Sequence, residues 1–78
     1  MTLPRISTDP AIMLGKPVIA GTRITVELIL DKLAAGEQPG QIMRAHPHLP
    51  PQSVDAALAY AAAMIRNEIV APHMRQSA

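Results

Sequence analysis

The chain has 78 residues, a formal net charge of +1, no cysteine, tryptophan or phenylalanine, and a single tyrosine. A domain of this size buries only about 60% of the surface that its unfolded chain exposes, so aliphatic residues and methionines must fill a small core. Disulfides and thiolate metal sites are excluded, the near-neutral charge lacks the basic excess of a dedicated nucleic-acid binder, and no apolar run approaches the ~18 residues that cross a bilayer.

The N-terminus carries no basic region followed by an apolar run and a cleavage site, so no membrane contact and a cytoplasmic location are expected. Met1 to Pro4 is a short lead-in. Ile6-Ser7 predicts a brief strand that Asp9-Pro10 breaks, and it is a candidate partner for Val18-Ile19. Ala11 to Leu14 is apolar and suits a tight turn or a buried connection. Gly15 to Ile24 is the most specified stretch: two glycines bracket the β-favouring Val18-Ile19, with Pro17 at the start, which reads as turn, strand, turn.

Three helices are predicted after it. Val26, Ile29, Leu30 and Leu33 recur at helical spacing, with Thr25 as N-cap, Glu27 in the first turn, Lys32 in the last and Gly36 just beyond, so a helix is expected over Val26–Ala35. Ile24 and Ile29 are placed to staple its start. A second, shorter helix over Pro39–Ala45 starts on proline and buries Ile42 and Met43, but Gln38 is a weak cap. His46-Pro47-His48-Leu49-Pro50 forbids helix, and Leu49 is expected to be buried. The third helix is expected from Pro51 to about Ile69, with Val54, Leu58, Ala61 and Ile65 as its stripe. The rest of its surface is mostly alanine, which suits packing on a partner better than solvation. The domain is expected to span residues 1–71, with a disordered polar tail over 72–78.

Strand, turn, strand and three helices is the layout of a helix-turn-helix domain, a common one. More specific residues are Ser7-x-Asp9-Pro10, Gly15-Lys16-Pro17-Val18-Ile19-x-Gly21-Thr22-Arg23-Ile24-x-Val26, Leu33-Ala34-Ala35-Gly36, Ile42, His46-Pro47-x-Leu49 and Val54-x-Ala56-Ala57-Leu58-x-Tyr60-Ala61. On these the chain resembles, from about Ile6 to Ala63, the small bacterial domain-of-unknown-function family 433. The resemblance implies a mainly α, homeodomain-like three-helix fold with a small N-terminal β element. It also implies an antitoxin of a type II toxin-antitoxin pair, which binds and occludes a PIN-like ribonuclease toxin with an acidic, metal-dependent active site. The helix-turn-helix would then be available for operator DNA. The chain departs from the family pattern at Gln38 and Pro50, where Ser or Thr would be usual caps, each a loss of about 1 kcal/mol.

Candidate DNA-binding residues are Arg5, Lys16 and Arg23, whose cations suit phosphate, and Gln52 and Ser53 at the start of the third helix, which suit base edges. Asp55 would repel phosphate, and Arg23 fits an internal bond to Asp9 equally well. Ala59, Ala62, Ala63 and Arg66 are candidates for a partner or homodimer interface. His46 and His48 lack the further ligands of a metal site, and Met13, Met43 and Met64 read as gap-fillers. No Cys nucleophile, phosphate loop or recognisable carboxylate pair supports an enzyme, and no cofactor is implied. A stand-alone transcription regulator and a structural dimerisation module are the rival readings.

Overall fold

A computed structural model describes residues 3–68; the expected tail from Pro72 and the expected helix end at Ile69 lie outside them. Strands β1 (Ile6–Ser7) and β2 (Val18–Ile19) pair antiparallel as expected, with Ile6 opposite Ile19 and Ser7 opposite Val18. The connection between them closes in a 3₁₀ turn over Met13–Gly15, whose residues Met13 and Leu14 lie in the left-handed region at φ 49° and 59°. Such backbone costs a residue with a side chain roughly 1–2 kcal/mol. This turn is not a buried connection, because Leu14 is 93% exposed.

β2 is held on both sides. The Ala20 N–H donates to the Arg5 carbonyl at 2.8 Å on one edge, and on the other the Ile19 N–H donates to the Ile24 carbonyl at 3.0 Å. The reversal between Ile19 and Ile24 needs Gly21 at φ 82°, and the Thr22 hydroxyl donates to the Ile19 carbonyl at 2.8 Å while accepting from the Ile24 N–H at 3.0 Å. A strand therefore hands over to a helix within six residues.

That helix, α1 (Val26–Ala34), has the caps that its ends predict. The Thr25 hydroxyl accepts from the Leu28 N–H at 2.9 Å. At the other end Gly36, at φ 97°, turns the chain so that its N–H reaches the Leu33 carbonyl and the Glu37 N–H reaches that of Lys32, both at 3.0 Å. Thr25→Ala is expected to cost about 1–2 kcal/mol and to lower the unfolding midpoint by roughly 4–8 °C per kcal/mol. Thermal denaturation followed by circular dichroism reads it, and an unchanged midpoint would mean that this cap contributes nothing.

Helix α2 (Pro39–Ala45) lies where it is predicted, but its cap is better than expected: the Gln38 N–H donates to Gln41 Oε1 at 2.6 Å, so a glutamine one turn on supplies an acceptor. Helix α3 (Ser53–Glu68) begins two residues later than predicted. Pro50 is not its cap. The chain turns at Gln52, with φ 68°, and the Ser53 hydroxyl donates back to the Pro50 carbonyl at 2.5 Å.

The core is Ile19, Val26, Ile29, Ile42, Leu49, Val54, Ala56 and Ala57, with Ile6, Ile24, Leu33, Met43 and Tyr60 packed around it. α3 packs against α1 and both strands, and α2 packs against α1. This is the expected mainly α, homeodomain-like three-helix arrangement with a small N-terminal β element. The predicted stripe of α3 is only half right. Val54 is buried and Ala61 half-buried, but Leu58 and Ile65 stand 47% and 56% exposed, because Ser53, Ala56, Ala57 and Tyr60 are the residues turned inward with Val54. Met43 fills a gap as expected. Met13 and Met64 do not, since both are exposed.

Candidate protein-interaction surface

Small side chains on the inner face of α3 let it lie close to α1, and its second half then runs on past the core. An apolar groove of about 400 Å³ opens between that half and α1. Val26 and Leu30, one turn apart on α1, face Tyr60, Ala61, Met64 and Ile65 of α3 across it. Glu27 and Asp31, also one turn apart, form its acidic lip. Glu27 is partly neutralised by Lys16 Nζ at 2.9 Å, an exposed pair worth at most about 1 kcal/mol. Asp31 is exposed and forms no ion pair among the described residues.

A second, more polar pocket of about 500 Å³ is lined by Ser7, Ile12, Gly21, Thr22, Arg23 and His48. Arg23 is exposed and has no hydrogen bond among the described residues; Asp9, its expected partner, instead accepts from the Ala11 N–H at 2.9 Å. The His46 and His48 rings meet edge to face, 6.2 Å between centroids, and no third metal-ligating side chain joins them among the described residues.

The candidate DNA-binding residues have different surroundings. Lys16 is engaged with Glu27 at the groove, Arg23 lines the polar pocket, and Arg5 is exposed beside β1. Ser53 is 0% exposed with its hydroxyl already donated, so the expectation that it reads a base is corrected; a short polar residue beside Pro50 serves the helix start instead. Gln52 is half-buried in its left-handed turn. Of the interface candidates, Ala59, Ala62 and Arg66 are exposed on the outer side of α3, and Ala63 is half-buried. Sequence reasoning missed the α1 wall of the groove, Leu30 and Asp31, although their spacing from Val26 and Glu27 carried the signal. It also missed Leu14, for which no local signal exists.

The fold and surface define a small three-helix domain with a β-hairpin entry and an apolar groove that no described residue covers. Residues 6–61 match the family model described as "Protein of unknown function (DUF433)", and the chain belongs to that family. No curated protein and no solved structure matches the chain. The matched stretch includes Val26, Leu30, Tyr60 and Ala61 of the groove and ends before Met64 and Ile65. Among the described residues, no helix is long and apolar enough to cross a membrane.

Proposed function

We propose that this chain is the antitoxin of a type II toxin-antitoxin pair, which acts in the cytoplasm by binding and occluding a PIN-like ribonuclease rather than by catalysis. The observation that carries this reading is the open apolar groove between α1 and α3 with its acidic lip. Met64 and Ile65 are exposed along this channel and Leu30 and Tyr60 are only partly buried, with no described residue covering them, which suits a surface that another chain covers. Asp31 fits an occupant that brings apolar side chains and a lysine or arginine, such as a helix or extended segment of the toxin. The test is co-expression with a PIN-like ribonuclease of the same genome. A stoichiometric complex without RNA cleavage is expected; a ribonuclease left unbound and active would overturn the reading.

A transcription regulator is the second reading, favoured by the uncommitted Arg23 beside His48, Ser7 and Thr22 in the polar pocket. The burial of Ser53 and the exposed Asp55 in the first turn of α3 weigh against base reading by that helix. If Arg23 holds a phosphate, Arg23→Ala should weaken operator binding and lower the slope of log affinity against log salt by about 1. An unchanged slope in a mobility-shift titration removes Arg23 from DNA contact.

A further inference from the structure

The outer side of α3, turned away from the core and bordering the groove at Ile65, carries a pattern with its own symmetry. Asp55, Leu58, Ala59, Ala62, Ile65 and Arg66 are all exposed there. Asp55 and Arg66 stand eleven residues apart, which on an α-helix is three turns plus about 20°, so they share one face at a separation of roughly 16 Å. Neither can reach the other, and neither forms an ion pair among the described residues. Leu58 and Ile65, two turns apart, form one apolar flank of the same face and are 47% and 56% exposed.

We infer that this face binds a second copy of the chain, α3 against α3, antiparallel across a two-fold axis midway between Asp55 and Arg66. The charge order selects this occupant and this direction. A two-fold axis there sets Asp55 of each protomer opposite the partner's Arg66, so both carboxylates and both guanidiniums are paired at once. A parallel pairing would set like charges side by side. The same operation puts Ala59 opposite the partner's Ala62, where small side chains allow helix axes to approach to about 8 Å. It also keeps the Leu58–Ile65 flank on one side of the axis, so that Leu58 of each protomer meets the partner's Ile65. Three kinds of contact are thus satisfied by one axis. The pairing does not depend on the antitoxin reading.

Sedimentation equilibrium of the full chain tests it. The native chain is expected to dimerise, Asp55→Arg and Arg66→Asp each to weaken dimerisation by more than about tenfold, and the double exchange to restore it to within about threefold. Rescue is decisive because both exchanges oppose the dipole of α3, so the doubly exchanged helix is the least stable of the set and cannot regain association through better folding. A monomeric native chain, singles that dimerise normally, or a double variant no better than the singles overturns the inference. Since the chain has no cysteine, Ala59→Cys and Ala62→Cys proteins report direction independently of charge. Mixed, they should form the 59-to-62 disulfide faster than either forms its own; self-pairing that is as fast as cross-pairing overturns the antiparallel register.

Discussion

Ile42→Ala is expected to lower the midpoint of thermal unfolding by more than about 10 °C. Ile42 is fully buried and is the only buried residue of α2, a helix of seven residues that is too short to persist by itself. Removing its three outer carbons costs about 2–5 kcal/mol, through lost transfer energy and through the cavity left behind. A chain of 78 residues has a total stability of only about 4–12 kcal/mol, so the loss is a large fraction of the whole. Met43, half-buried beside it, is flexible enough to fill part of the space, which sets the lower end of the range. Differential scanning calorimetry measures the shift. A midpoint within a few degrees of the native one would mean that α2 is held by its flanking loops and not by this side chain.

The second large effect concerns binding. Met64→Glu is expected to weaken the complex with the PIN-like ribonuclease by about 30-fold or more, the loss typical of a central interface residue. Met64 faces the groove on α3, is exposed in the free chain, and lies beside Asp31 rather than on the outer face that carries Asp55 and Arg66. A carboxylate there would be desolvated by an apolar partner and would add to an already negative lip. Because the native methionine is exposed, the change should leave the chain's own stability within about 0.5 kcal/mol. Isothermal titration separates the two. Undiminished affinity, with the variant folded, would move the toxin off the groove.

What was legible in the sequence follows from where the physics is local. Thr25, Ile24, Gly36 and the spacing of Val26 and Ile29 act within a few residues of one another, and α1 forms where they say it does. The pairing of Ile6-Ser7 with Val18-Ile19 was readable too, because two prolines and a glycine, Pro10, Pro17 and Gly15, leave so few ways to arrange what lies between. α3 was read less well for a specific reason. Among so many alanines the large residues Leu58 and Ile65 seemed to mark the inner stripe, yet close packing against α1 and the sheet selects the small ones, Ala56 and Ala57, and leaves the large ones outside. Ser53 was misread in the opposite sense: a hydroxyl looks available until a nearby carbonyl, that of Pro50, takes it into the interior. The left-handed backbone of Met13, Leu14 and Gln52 carries no local signature, since none is a residue that favours it. The groove was half legible: Tyr60 stood out as the lone aromatic, whereas its wall on α1 depends on how two helices come together.

That lone aromatic has an optical consequence. With no tryptophan or phenylalanine in the chain, the near-ultraviolet absorption and the intrinsic fluorescence both belong to Tyr60, which is half-buried in the wall of the groove. Emission from this one ring is sensitive to whether water or an apolar side chain lies beside it. A ligand free of aromatic residues that fills the channel would therefore change the only light the molecule emits.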